Sequence, residues 1–173
     1  QEQEWQDMGL AALGIAGVAA ILDRPVRDEM RRHAPNDSRF MLEVERFGKE
    51  YSLAVLGGFY LAGALGNDDN AAAVAEDGLA ALIIAGGIIT PAIKFVTGRS
   101  RPRDNAGIAK FHPLSIGYYS SNSSFPSGHT THAFVLASVF ANHYDETWVT
   151  YSSYTIASLV GVARSYHDAH FAS

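Results

Sequence analysis

The chain has 173 residues, and 47% of them are apolar, which is enough to fill the core of one domain. Its formal net charge of -5 argues against non-specific nucleic-acid binding as the main function. The absence of cysteine excludes disulfides and cysteine metal sites and leaves the cellular compartment undecided. We therefore expect a single domain without a nucleic-acid partner.

Apolar periodicity predicts helices along the whole chain, with no alternating strand pattern and no internal repeat. Pro25 suits the first turn of a short helix, and polar residues at 36–38 offer N-caps for a long helix that ends at a polar break. Pro91 predicts a kink. The long helix runs from the caps at 36–38 to the polar break at 66–69. The other predicted helices cover residues 4–23, 25–33, 70–97, 126–142 and 147–162, and another begins near Asp168.

Residues 99–124 are predicted to form a long loop, because they contain Pro102, Pro113 and a polar run at 120–124. Loops of this length inside a compact domain are usually functional or disordered. The residues on both sides of this loop are therefore of interest for binding.

Several apolar runs approach the length of a membrane span: 8–22, 52–66, 78–93 and 147–163. Each falls short of the roughly 18 to 20 residues that a span needs. Their glycine and alanine content favours close helix packing as much as lipid contact. Because the mean hydropathy is also zero, we favour a soluble or surface-associated protein over an integral one. Membrane association stays open.

The sequence Pro126-Ser127-Gly128-His129 opens a predicted apolar helix. Pro126 suits a first helical turn, and Gly128 lets the backbone come close to a ligand. Free N–H groups at a helix N-terminus attract an anion such as phosphate. Ser127 can donate a hydroxyl hydrogen bond to it, and His129 can give or take a proton. An ordinary N-cap followed by a surface histidine is the alternative interpretation of these four residues alone.

Five basic residues fall within seventeen positions that contain a single acid, Asp104: Lys94, Arg99, Arg101, Arg103 and Lys110. Lys94 lies near the end of a predicted helix, and Arg101 is held by the following proline. A planar guanidinium matches two phosphate oxygens, and an ammonium adds a compact charge. We interpret Arg99 and Arg103 as cations that stabilise a helix C-terminus.

Arg164 is the only basic residue between Phe111 and Ser173, and it ends an apolar helix six residues before His170. A buried arginine needs an anionic partner. The acids close to it in sequence are Asp145, Glu146 and Asp168. A bound phosphate would satisfy it as well as any of them.

The order Lys94-x6-Arg101-Pro102, then Pro126-Ser127-Gly128-His129, then Arg164-x5-His170 resembles the three-part signature of the type 2 phosphatidic acid phosphatase (PAP2) superfamily. That superfamily includes bacterial class A acid phosphatases and vanadium haloperoxidases. The resemblance covers Lys94 to His170, and the first 90 residues carry no motif. It implies an all-α fold, a single-domain helical bundle of the PAP2/haloperoxidase type over residues 1–173.

The resemblance also implies roles for the motif residues. His170 would attack phosphorus and form a phosphohistidine, while His129 would protonate the leaving oxygen and then activate water. The implied phosphate-binding residues are Lys94, Arg101, Ser127, Gly128 through its N–H group, and Arg164. Because three cations do the work of a metal ion, we expect a metal-independent phosphatase of monoesters or diphosphates, with no metal and no cofactor.

Two positions depart from the family pattern. Ala163 stands where the family usually has a serine, and we expect this to be tolerated because the arginine makes the contact. The family pattern continues after the nucleophilic histidine with x3-Asp, which holds the imidazole in the right tautomer. That aspartate would be residue 174, one beyond Ser173. We therefore expect the natural protein to continue through it and through at least one more helix.

We expect the substrate to be a lipid-linked phosphate of the phosphatidic acid, phosphatidylglycerophosphate or polyprenyl diphosphate type. The reasons are the apolar helices and the aromatic residues of the loop: Phe111, Tyr118, Tyr119 and Phe125. The alternatives are a non-specific acid phosphatase of soluble esters, a vanadate-dependent haloperoxidase, and a non-catalytic helical membrane or scaffold protein. The start at Gln1 fits removal of an export signal, so we expect a bacterial periplasmic or membrane-associated location.

The remaining histidines have simpler interpretations. We expect a core or surface role for His132, although it lies near the helical face of His129. No constellation surrounds the others: His33, His112, His143 and His167. His167 and His170 have the spacing of a metal pair, but no third ligand is in view, so we do not predict a metal site there.

Overall fold

The computed structural model describes residues 22–32, 38–104, 110–114, 123–167 and 170. Within these ranges every regular secondary-structure element is a helix. An isolated antiparallel β-bridge joins Arg99 to Phe111. The all-α prediction is confirmed. The predicted helix 4–23 lies outside the described residues except at its last two positions, and so does most of the helix predicted to begin near Asp168.

Seven α-helices follow one another in the described part of the chain. They are α1 at residues 22–32, α2 Arg39–Arg46, α3 Glu50–Gly66, α4 Asp69–Ala81, α5 Thr90–Thr97, α6 Gly128–His143 and α7 Thr147–Tyr166. A π-helical segment, Leu82–Ile89, joins α4 to α5, and a 3₁₀ turn, Pro102–Asp104, follows α5.

The long helix predicted between residues 36 and 66 is instead two helices, so this prediction was wrong. The chain turns at 47–49 between α2 and α3. Gly48 packs directly on the backbone of His129, where an added Cβ would lie 2.5 Å from the carbonyl oxygen. The break therefore comes from a contact between distant segments, which helix propensity does not report.

Helix α4, the π-helical segment and α5 form one continuous helix of 29 residues, Asp69–Thr97. Asp68 caps its start by accepting a hydrogen bond from Ala71 N at 3.0 Å. Gly98 ends it with a positive φ of 54°, a conformation that glycine adopts without strain. Pro91 has no N–H to donate, and the helix widens into π-helical turns just before it.

The same helix is long and apolar enough to cross a membrane, and only 11% of its most apolar 18-residue stretch is buried. The apolar run 78–93 alone is shorter than a membrane span needs. The helix reaches that length because it extends beyond both ends of the run.

Helices α6 and α7 form an antiparallel hairpin, because only residues 144–146 connect them. Their interface contains small and branched residues: Ala133, Ala137, Ala157 and Val160, with Val44 of α2 packed against them. A second cluster comprises Leu56, Leu82 and Leu136, with Val135 and Phe140 alongside. The hairpin brings the start of α6 and the end of α7 together, so two of the predicted motifs meet at one end of the bundle.

Helix α1 packs against the loop that follows α5. Arg99 forms an ion pair with Asp23 of α1, and the two residues are only 5% and 1% exposed. Arg31 of α1 also donates to Pro102 O at 2.8 Å. Arg99 is therefore held by a buried carboxylate, which differs from the helix-terminal cation that we expected.

We predict that Gly63→Ala destabilises the protein, because an added Cβ would lie 2.8 Å from the backbone nitrogen of Ala72 on α4. Overpacking of this kind costs about 1–3 kcal/mol. Gly57 lies on the same helix with open space around its Cβ position. Gly57→Ala should therefore raise the free energy of unfolding by about 0.5–1 kcal/mol. Denaturant unfolding of the two variants measures the difference, and equal effects would contradict the close α3–α4 contact.

We predict that Asp23→Ala lowers the free energy of unfolding by about 3–5 kcal/mol, because it leaves Arg99 buried without its carboxylate. Glu43→Ala is the control, since Glu43 is exposed and pairs with Arg46 at the surface. That control should leave stability almost unchanged. Thermal unfolding of both variants tests the prediction, and a stable Asp23→Ala protein would refute it.

Candidate active site

Helix α6 begins two residues later than predicted, at Gly128. Ser127 is the N-cap, and its Oγ accepts a hydrogen bond from Thr130 N at 3.3 Å. Pro126 precedes the cap and is not part of the first helical turn. No atom lies within 4 Å of a Cβ added at Gly128, so the backbone there is open to an approaching group. The open N–H groups at this terminus can bind an anion.

Lys94 and Arg101 meet at Ser123, in the described end of the loop. Lys94 Nζ donates to Ser123 O at 2.7 Å, and Arg101 Nη2 donates to Ser123 Oγ at 2.9 Å. The structure thus brings together the two cations of the first motif. Ser123 was not predicted to be a site residue, although it lies in the polar run 120–124.

Ser124 holds the side chain of His170. Its backbone N–H donates to Arg99 O at 2.9 Å, and its carbonyl accepts from His170 Nδ1 at 2.5 Å. A carbonyl can only accept, so Nδ1 carries the proton and Nε2 keeps its lone pair. Orientation by Ser124 was not predicted, because the expected partner was an aspartate at position 174.

His170 is buried, with 4% of its surface exposed. Burial lowers its pKa to about 2, and the cations Arg164, Lys94 and Arg101 also disfavour the imidazolium, while the hydrogen bond to Ser124 opposes these effects. The imidazole is therefore neutral at ordinary pH. The three predicted phosphate-binding cations lie close enough to His170 to act on its charge.

Arg164 is buried at the end of α7, with 8% of its surface exposed, and its Nη1 pairs with Glu45 of α2. The predicted need for an anionic partner is met by an acid far away in sequence. The nearby acids that we considered do not supply it in the described structure, and Asp168 lies outside the described residues. Among the described residues, the buried Nε of Arg164 has no hydrogen-bond partner.

Glu45 also contacts two histidines. Its Oε2 accepts from His167 Nδ1 at 2.7 Å, and its Oε1 lies 3.9 Å from His129 Nε2. The expectation that no constellation surrounds His167 was wrong, because it shares this carboxylate with Arg164. Sequence offered no signal for this cluster beyond the placement of Glu45 on a predicted helix.

His129 faces the turn between α2 and α3. Burial, followed by the charge of Lys49, holds its pKa below the usual range. Lys94 lowers the pKa of both His129 and His170, so it lies within electrostatic reach of each ring. The two predicted catalytic histidines thus both feel the charge of Lys94.

A cavity of about 760 Å³ opens beside Ser127, Arg164 and His170. His129 is not among the residues that line it. Most of the wall is apolar and includes Val26 and Met30 of α1, with Phe125, Phe134 and Val162. The polar groups thus occupy a small part of an otherwise apolar cavity.

The other described histidines lie away from this cavity. His132 is half-buried against Gly86, where an added Cβ would lie 2.1 Å from its Nε2. His143 donates to Asp77 Oδ2 at 2.9 Å near the surface. No group of three or more histidine, aspartate or glutamate residues in the described part of the chain is arranged to hold a metal ion.

Comparison with known proteins yields one family match and one informative relative. The family model described as "PAP2 superfamily" matches residues 78–173. Over 71 residues, the chain is 38% identical to the protein named "Lipid A 1-phosphatase" from Porphyromonas gingivalis. This aligned segment covers 40% of this chain but only 16% of that relative. No solved structure matches the chain significantly. The matched segment covers more than half of the sequence and contains all three motifs, and the chain therefore belongs to the PAP2 superfamily.

Proposed function

We propose that this protein is a phosphatase, a phosphoric ester hydrolase that acts without a metal ion on lipid-linked monoesters or diphosphates. One observation carries the proposal: a neutral, buried His170 whose Nε2 lone pair is available, surrounded by Lys94, Arg101 and Arg164. Such a group is a nucleophile in an environment that attracts phosphate. Arg164 lines the cavity, and its guanidinium has donors beyond the Nη1 that pairs with Glu45, which can bind a phosphate oxygen.

In the first step, His170 Nε2 attacks phosphorus. The P–N bond forms as the P–O ester bond breaks, and the imidazolium of His129 gives its proton to the leaving oxygen. In the second step, the neutral His129 takes a proton from water, and the water oxygen attacks the phosphohistidine. The P–N bond breaks, which releases inorganic phosphate and restores His170.

The remaining motif residues stabilise charge on the phosphoryl oxygens during both steps. Lys94, Arg101 and Arg164 supply positive charge, and Gly128 supplies a backbone N–H. Ser127 accepts a hydrogen bond from Thr130 N, which leaves its own hydroxyl proton available to donate to phosphate. These cations take the part that a metal ion plays in other phosphoryl-transfer enzymes.

A lipid substrate fits the apolar walls of the cavity next to His170. The part of the lipid closest to the phosphate would lie against Val26, Met30 and Phe134, which bury apolar surface from water. The name of the Porphyromonas gingivalis relative supports a lipid-linked phosphate. The binding partner that we propose for this cavity is therefore a lipid-linked phosphate.

The helix Asp69–Thr97 supports association with a membrane. It is long and apolar enough to span a bilayer and leaves large apolar side chains exposed, among them Ile83, Ile84 and Ile88. Exposed apolar surface of this extent is stabilised by contact with lipid. We infer a single-domain phosphatase that is located in the bacterial periplasm or associated with a membrane.

We predict that the protein releases inorganic phosphate from lipid phosphates in the presence of EDTA. His170→Ala should reduce this release by roughly a hundred-fold or more, because it removes the nucleophile. His143→Ala is the matched control, since His143 lies outside the site and pairs with Asp77, and it should retain full activity. Phosphate assays over a panel of lipid and soluble phosphates make the measurement.

Two results of that panel would count against the proposal. Absence of release from every phosphate tested would refute phosphatase activity. Turnover of a soluble sugar phosphate far above that of all lipid phosphates would refute the lipid part alone and favour an acid phosphatase of soluble esters.

We predict that protonation of His129 limits turnover as pH rises. The acid must be charged to donate its proton, and its pKa lies below the ordinary histidine value of 6.5, so the competent fraction falls as pH rises through that depressed pKa. Burial keeps the pKa of His170 far below the ordinary histidine value, so protonation of His170 does not oppose this trend. Activity on esters with poor leaving groups should therefore be highest in acid.

The ratio of kcat/KM for an alkyl phosphate to kcat/KM for an aryl phosphate isolates this effect. An aryl leaving group needs little protonation, and the second phosphate ionisation, near pH 6, is common to both esters. The ratio should fall between about pH 4 and pH 8. A ratio that stays constant over this range would show that His129 is not the acid.

A further inference from the structure

Glu45 lies on α2, outside the segment that matches the family, yet its carboxylate lies among three side chains of that segment. One oxygen pairs with Arg164 and lies 3.9 Å from His129 Nε2. The other accepts a hydrogen bond from His167 Nδ1 at 2.7 Å. The carboxylate is largely shielded from water, since its side chain is 18% exposed. A carboxylate in this place either repels a bound phosphate or holds the groups that bind the phosphate.

The turn after α2 keeps Glu45 in place. Gly48 lies against the backbone of His129 at a distance that no Cβ would allow. Val44, next to Glu45, packs on the α6–α7 core. Glu45 therefore sits on a wall that is fixed to the same helices that carry His129 and Arg164.

Arg164 has donors left over after it pairs with Glu45. A guanidinium has five N–H donors in one plane, and Glu45 meets it at Nη1. The buried Nε has no partner among the described residues, and Arg164 lines the cavity together with Ser127 and His170. Because Glu45 meets the guanidinium at Nη1, an anion in that cavity can bind a remaining donor of Arg164 while Glu45 continues to hold the other side of the group.

We propose that Glu45 is a positioning residue for phosphoryl transfer, which holds the guanidinium of Arg164 in the orientation that the transition state requires. The proposal rests on the proposed phosphatase function. Its negative charge also weakens binding of phosphate in the ground state, because the carboxylate and the phosphate share one arginine and repel each other. Glu45 therefore favours the transition state over tight binding of substrate or product.

The proposal predicts opposite changes in rate and in affinity for Glu45→Gln. Glutamine keeps the size of the side chain but removes its charge, so Arg164 loses its ionic anchor. We expect kcat for a lipid phosphate to fall by roughly ten- to a hundred-fold, as misplaced groups do in other enzymes. We expect inorganic phosphate to bind more tightly, by several-fold, when titrated calorimetrically against the full chain.

Glu43→Gln is the matched control on the same helix. Glu43 is exposed and binds Arg46 and Tyr51, so the same substitution there should change neither kcat nor phosphate affinity. A residue that merely supports the fold would lower the melting temperature and weaken phosphate binding together with kcat. That pattern in Glu45→Gln would overturn the proposal, and so would values equal to those of the wild type.

The variant Glu45→Asp tests the same proposal if Glu45→Gln does not fold. It keeps the charge but withdraws the carboxylate by one methylene, so kcat should fall while phosphate affinity stays unchanged. An aspartate variant with the kcat of the wild type would overturn the proposal. A wild-type protein that neither releases nor binds phosphate would instead refute the proposed function, so the two failures are distinguishable.

Discussion

In the described part of the chain two arginines are buried, and both require carboxylates, a requirement from which much of the structure follows. Arg99 pairs with Asp23, and Arg164 pairs with Glu45. An arginine taken out of water without a partner would cost the fold several kcal/mol, on the order of 3–5. Both carboxylates come from helices that precede the family motifs. Helices α1 and α2 therefore support the candidate site as well as the scaffold.

Burial is the main reason for the neutral state of His170, and nearby cations reinforce it. Burial and the surrounding cations keep its imidazole neutral, and the Ser124 carbonyl selects the tautomer with a free Nε2. Ser124 is in turn bound to the backbone of Arg99, which Asp23 anchors. Lys94 and Arg101 converge on the neighbouring Ser123. A short segment at 123–124 thus connects the first motif to the nucleophile proposed in the third.

Features that depend on a few neighbouring residues were predicted well from sequence. The cap at Ser38, the break before Asp69 and the helix end before Gly98 each reflect hydrogen bonds or backbone angles within one turn. The prediction of an unbroken helix through residue 48 was wrong, because the chain turns there to place Gly48 against His129, a residue far away in sequence. The view of His167 as isolated was wrong for a similar reason, since its partner lies on α2.

The sequence by itself determined the helical class, the caps and the three motifs that identify the family, because each of these features depends on residues that are close together along the chain. Only the tertiary structure decided which carboxylates meet Arg99 and Arg164, and that Ser123 and Ser124 connect the cations to His170. These pairs join segments that come together when helices pack. Their identity depends on packing geometry, which no local pattern of residues contains.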